Sequence, residues 1–125
     1  MKLEQDSMKP IYVQISEGIE DDILNDVLKE EEQTYSQYQI AKQFNVNPAT
    51  AARGINLLVA EGILYNKRGL SMHVSLGAKE AIQKKRKNIL FSSLIRELML
   101  EARKLGIGKD EIKNIIDGFR EEEQE

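Results

Sequence analysis

The chain has 125 residues, 41% of them apolar and 31% charged, with a formal net charge of −3 and no cysteine, which leaves room for one compact domain and a short appendage. Without cysteine it can form neither a disulfide, nor a thiolate nucleophile, nor a cysteine-based zinc site. Its single histidine, His73, cannot build a His-rich centre, so neither a metal nor a cofactor is expected. No apolar run approaches the roughly 18 residues of a membrane span, and residues 1–9 are polar with no apolar signal segment, so a cytoplasmic protein with no membrane partner is expected.

The charge is unevenly spread. Residues 1–33 carry three basic and ten acidic side chains, residues 34–75 four basic and one acidic, and residues 76–125 eleven basic and ten acidic. A surface for a polyanion therefore belongs to the middle block, where Lys42, Arg53, Lys67 and Arg68 are set against Glu61.

Pro10 opens the first helix, where a missing N–H and a fixed φ do no harm. Ile11, Ile15, Ile19 and Ile23 recur at four-residue spacing, joined by Tyr12, Leu24, Val27 and Leu28, and form one apolar stripe. Glu17, Glu20, Asp21 and Asp22 fall on other faces. Residues 29–33 read as a solvated connection, and Glu30, Glu31 and Glu32 as loop carboxylates, since a general acid needs burial to shift its pKa. Ser36 and Gln39 have the spacing of a capping box and start a short second helix through Ile40, Ala41 and Phe44. After a turn at Asn45-Val46, Asn47 as N-cap and Pro48 at the first helical position start a third helix. It carries Ala51, Ile55, Leu58 and Val59 and closes near Glu61, with Gly62 just beyond. Residues 63–67 and 71–75 read as two short strands around the Arg68-Gly69 turn, with His73 as a half-buried strand residue. A long helical segment over 78–105 follows, whose Lys84-Lys-Arg-Lys87 run spreads around the helix and reads as solvated. Gly106 ends it, and Gly108-Lys-Asp-Glu111 caps a last helix bearing Ile112, Ile115, Ile116 and Phe119. Residues 121–125 are expected to be disordered. The fold class is mainly α with one small β-hairpin.

Two short helices across a tight turn are the building block of helix-turn-helix DNA-binding domains. The second helix buries one face on the first and turns its N-terminal end toward the major groove. Asn47, Pro48, Ala49 and Thr50 are short enough to let the backbone approach a duplex, and helix-start N–H groups can donate to a phosphate. Arg53, one turn further, can reach a base edge or a phosphate. Lys67, Arg68 and Gly69 at the hairpin tip place two cations where a wing would meet the neighbouring DNA backbone or minor groove.

Pro10-Ile-Tyr-Val-Gln-Ile15, Asn47-Pro-Ala-Thr-Ala-Ala-Arg53, Leu58-Val-Ala-Glu-Gly-Ile63 and Lys67-Arg-Gly69, in this order and at these separations, resemble the GntR family of bacterial repressors. The Asn-Pro-x-Thr-x-x-Arg helix start and the short tail, with Glu101-Ala-Arg-Lys-Leu-Gly-Ile107 before the last helix, are similar to its YtrA-type branch. The resemblance, over residues 10–119, implies a winged helix-turn-helix head (residues 1–75), a two-helix dimerisation tail (76–125) and a sequence-specific repressor acting on double-stranded DNA. By position it implies DNA contacts from Ser36, Gln37 and Tyr38, from Asn47, Ala49, Thr50 and Arg53, and from Lys67, Arg68 and Gly69. Two stretches depart from the family. Thr34-Tyr-Ser-Gln-Tyr38 stands where the family shows Leu-Pro-Ser-x-Arg, so Tyr38 offers a neutral hydroxyl in place of a cation. Gly69-Leu-Ser-Met-His73 stands for Gly-x-Gly-x-Phe, without the second glycine and the aromatic anchor. The YtrA-type likeness points to transport-related target genes, and the short tail leaves a cavity between subunits as the place for a small-molecule effector.

Phe91, Leu94, Ile95, Leu98, Met99, Ala102 and Leu105 form a broad apolar band on the long helix, and Ile112, Ile115, Ile116 and Phe119 a second on the last one. Two helices cannot enclose both bands, and leaving them bare exceeds what monomers expose. A second copy packed about a twofold axis is the expected cover, giving a homodimer that presents two recognition helices to the half-sites of a palindromic operator. The competing expectation is a winged helix kept as a protein-interaction module after DNA binding was lost. Tyr38 and the acidic net charge favour it; Asn47, Thr50, Arg53 and the wing cations oppose it. No nucleophile, base and orienting group can be assembled, so no catalysis is expected.

Overall fold

The computed structural model describes residues 1–69 and 71–120, so the expectation for residues 121–125 lies outside the described residues. The chain forms two compact units, the first ending at Lys85 and the second starting at Arg86. The elements in order are α1 (Ile11–Leu24), α2 (Gln37–Phe44), α3 (Pro48–Ala60), β1 (Leu64–Lys67), β2 (Ser71–Val74) and α4 (Ala78–Ile89). A π turn (Leu90–Leu94), α5 (Ile95–Lys104) and α6 (Lys109–Asp117) follow.

The core of the first unit gathers Ile15, Ile19 and Ile23 of α1, Ile40 of α2, Ala51, Ile55 and Leu58 of α3, Leu64 and Val74 of the hairpin, and Ala78 and Ile82 of α4. Burying one such isoleucine contributes about 1.5–3 kcal/mol. The compact unit thus extends past Ser75, because the opening turns of α4 bury their apolar side chains in it. Where α1 meets α3, a Cβ at Gly54 would lie 2.7 Å from the Tyr12 carbonyl oxygen and 2.9 Å from Ile15 Cγ2. Glycine is what permits that approach.

Three expectations for this unit change. The apolar stripe of α1 stops at Leu24, and Asp26 turns the chain at φ 61°. Val27 is therefore exposed and Leu28 reaches the core from the following loop. Glu20, expected on a polar face, is 2% exposed and ion-pairs with Lys85, which also bonds Glu61 at 2.8 Å. Lys85 of the 84–87 run thus ties α4 to α1 and α3. Burial pulls its pKa down, and the hydrogen bonds and charges of Glu20 and Glu61 outweigh that and raise it. Finally, residues 29–33, with Thr34 after them, are more than a solvated connection. The Glu31 N–H donates to the Val74 carbonyl at 2.7 Å, Val74 N–H to Glu32 at 2.9 Å and Thr34 N–H to Met72 at 2.9 Å, so this segment runs along the free edge of β2.

In the second unit, the Ser93 hydroxyl donates to the Ile89 carbonyl at 3.0 Å within the π turn, whose closing N–H, that of Ile95, reaches Leu90. A serine bonding back along the helix competes with the regular ladder, and π turns form where that ladder is perturbed. Gly106, at φ 71°, ends α5, and the Ile107 N–H donates to Ala102 at 2.9 Å. The N-cap of α6 is Gly108 and makes no side-chain capping bond; Asp110 and Glu111 in the first turn favour the helix start through its dipole instead. Phe91, Leu94, Ile95, Leu98, Leu105, Ile115, Ile116 and Phe119 are exposed, while Met99 and Ile112 are half-buried. Ala102 is already buried within the chain and is not part of the exposed band.

Candidate nucleic-acid interface

The start of α2 is set by a reciprocal capping box. Ser36 Oγ accepts from the Gln39 N–H at 3.1 Å, and Gln39 Oε1 accepts from the Ser36 N–H at 2.8 Å. Both orphan donors are satisfied, which leaves the Ser36 hydroxyl proton free to donate outward. Gln37 is half-buried beside it, and Tyr38 projects into solvent at 69% exposure. Asn45 turns the chain at φ 54°, and α3 starts three residues later, at Pro48. There Asn47 Oδ1 accepts from the Ala49 N–H at 2.8 Å, and Pro48 occupies the first helical position. This cap leaves Asn47 and Ala49 exposed and Thr50 half-exposed at the helix tip, with Arg53 exposed one turn along.

The wing is the β1–β2 hairpin, antiparallel with Leu64 opposite Val74 and Lys67 opposite Ser71. Its tip turns through two left-handed residues, Arg68 at φ 53° and Gly69 at φ 73°. Gly69 takes that conformation without strain; Arg68 takes it at a cost. Lys67 and Arg68 are both exposed, and among the described residues neither enters a salt bridge. The hairpin is braced at its base by the Tyr65 hydroxyl, which donates to Glu31 at 2.9 Å, a bond that raises the Tyr65 pKa above its usual value. His73 is half-buried, with Nδ1 3.2 Å from the Ser71 carbonyl oxygen and its ring 5.9 Å from that of Tyr65.

The α2 start, α3 and the wing enclose a crevice of about 240 Å³ whose lining includes Gln37, Tyr38, Asn56, Asn66 and Ser71. Asn56 and Asn66 were not among the expected contacts. Asn56 follows Arg53 at the i+3 spacing of one helix face, which is the signal that marks it; Asn66 has no such signal. The amides and hydroxyls that line this crevice suit a phosphate backbone and base edges rather than a reaction; Arg53, Lys67 and Arg68 are not part of its lining. Among the described residues no group of three or more His, Asp or Glu side chains could hold a metal ion.

Helices α2 and α3 meeting across a tight turn, followed by a two-stranded wing, make a winged helix-turn-helix. No family model matches the chain. Among solved structures, a regulator assigned to the GntR family from Bacteroides thetaiotaomicron is 32% identical, with 86% of this chain and 93% of that one covered at a TM-score of 0.71. The DNA-binding domain of AraR, crystallised with operator ORR3, is 27% identical over 60% of this chain and 90% of that one, at a TM-score of 0.52. The HTH-type transcriptional repressor NagR of Bacillus subtilis (strain 168) is 33% identical over 75 residues, which are 60% of this chain and 31% of that protein. The chain thus spans about a third of the length of this curated relative. The chain belongs to the GntR family of transcriptional regulators, which are not enzymes.

Proposed function

We propose that this protein is a repressor that binds double-stranded DNA as a homodimer at a palindromic operator in the cytoplasm. The observation that carries the reading is the tip of α3. There the Asn47-Pro48 cap leaves Asn47 and Ala49 exposed and Thr50 half-exposed ahead of Arg53, on a fold whose wing bears the exposed cations Lys67 and Arg68. Ser36, Gln37 and Tyr38 would add contacts to a neighbouring phosphate, and Gly69 would let the wing tip come close to the duplex. Two relatives support the reading by what they are: AraR is crystallised with its operator, and NagR is a repressor. The homodimer is supported by the exposed apolar band on α5 and α6, which a twofold partner would cover. The YtrA-type helix start supports assignment to that branch and, by analogy, a transport operon as the target.

A fluorescently labelled duplex from the protein's own promoter region tests this directly. Binding should weaken steeply as salt rises, because neutralised phosphates release counterions. Arg53→Ala should cost about 1–3 kcal/mol of specific binding. A duplex that shows no salt-sensitive shift, at concentrations where the protein is dimeric, would overturn the reading in favour of a protein-interaction module.

A further inference from the structure

The cation proposed to read DNA is not loose on the surface. The guanidinium carbon of Arg53 lies 3.9 Å from the centroid of the Tyr12 ring, within the range of a cation–π stack. Tyr12 belongs to the first turn of α1. It comes this close because α1 and α3 touch at the residue after Arg53, where a Cβ on Gly54 would meet the Tyr12 carbonyl oxygen at 2.7 Å. A stacked guanidinium is held by its face, and its N–H donors, which lie in the plane, stay available for a base edge or a phosphate. Among the described residues no carboxylate ion-pairs with Arg53, and the Tyr12 hydroxyl makes no hydrogen bond, so the ring is the part of Tyr12 in use.

Resting on the DNA-binding reading above, we propose that Tyr12 is a positioning residue for DNA recognition. Its ring fixes the orientation of Arg53 before the duplex arrives, so that binding does not have to order a free arginine side chain. Neither the α1 motif nor the helix-turn-helix assigns it this role: Tyr12 lies outside both helices of that motif and acts through Arg53.

The probe is a duplex selected from a random-sequence pool by the wild-type protein, with affinities measured for Tyr12→Phe, Tyr12→Leu, Arg53→Ala and the Tyr12→Leu, Arg53→Ala pair. Tyr12→Phe should bind within about 2-fold of wild type, and Tyr12→Leu should lose roughly 3- to 10-fold. In the Arg53→Ala background Tyr12→Leu should cost nothing further, since the residue it positions is gone. In the free protein, nuclear magnetic resonance should show the Arg53 side-chain protons shifted upfield by the ring in wild type and Tyr12→Phe, and at ordinary positions in Tyr12→Leu. Thermal melting checks that Tyr12→Leu is folded, and Tyr12→Met replaces it if not. Wild-type affinity in Tyr12→Leu, or the same loss with and without Arg53, overturns the inference while the DNA-binding reading stands. A loss in Tyr12→Phe equal to that in Tyr12→Leu overturns it in favour of a direct hydroxyl contact. If the wild-type protein selects no duplex, the DNA-binding reading itself fails and takes this role with it.

Discussion

The head and the tail treat their apolar residues differently, although the same helical periodicity runs through both. In the head, Ile15, Ile19, Leu58, Val74 and Ile82 are removed from water entirely, and even the carboxylate of Glu20 is covered. In the tail, Phe91, Leu98, Ile115, Ile116 and Phe119 stay between 44% and 65% exposed. An apolar stripe marks the face that avoids water; it does not say which chain supplies the cover. Three helices, a hairpin and the opening turns of α4 can roof one another. Two short helices joined at Gly106 cannot, and that is the physical ground for the proposal that a second copy covers the tail.

Truncation should separate the two regions most sharply. Ile19→Ala, at a site fully closed from water, should cost about 2–5 kcal/mol of unfolding free energy. Leu98→Ala, at a half-open site, should cost less than about 1 kcal/mol when measured at a dilution where the chain is monomeric. Urea unfolding followed by circular dichroism measures both. Equal costs would erase the distinction, because the tail would then hold a core as closed as that of the head. A second measurement raises the concentration and asks what covers the tail. Leu98→Lys combined with Ile116→Lys should convert a dimer to a monomer in sedimentation velocity. DNA affinity should drop by on the order of 100-fold, since the second head no longer binds intramolecularly. Unchanged mass and unchanged affinity would sink the proposed interface and leave the head's own surface as the whole basis of binding.

What could be read from the sequence follows the same division between local and distant causes. The Ser36–Gln39 box, the Asn47-Pro48 start and the Gly62 stop involve residues a few positions apart, so the spacing alone marks them, and the structure shows each one. Glu20 is different. Its partner Lys85 lies 65 residues away, and nothing local distinguishes it from Asp21, so a stripe argument leaves it on a polar face. The 30–32 acidic run misleads for another reason. Side-chain polarity says water, but backbone N–H and C=O groups pair regardless of the side chain they carry, and this stretch uses them on Val74. Arg53 was legible as a cation at the right register of the third helix. Its stack on Tyr12 was not, because that contact depends on two helices crossing at Gly54.

The smallest effect concerns how tightly the head closes its polar rim as well as its apolar core. The Tyr35 hydroxyl donates to Asp22 Oδ2 at 2.5 Å. Burial, then that hydrogen bond, then the carboxylate's charge push the Tyr35 pKa from 10.0 up to about 12. The neutral phenol is the form the fold favours. Its contribution is therefore complete below the unfolded value of 10.0 and is lost as pH climbs from there through the folded value of about 12, because over that window the unfolded chain binds fewer protons than the folded one. Tyr35→Phe keeps the ring and removes the group that titrates. At neutral pH it should cost about 1 kcal/mol for the lost hydrogen bond. Between pH 10 and 12 the wild-type denaturation midpoint should fall more steeply than that of the variant, so the two curves converge. Parallel curves would mean that the hydroxyl ionises as it does in water. The seal between the α1 end and the α2 entry would then be looser than the isoleucine core beneath it.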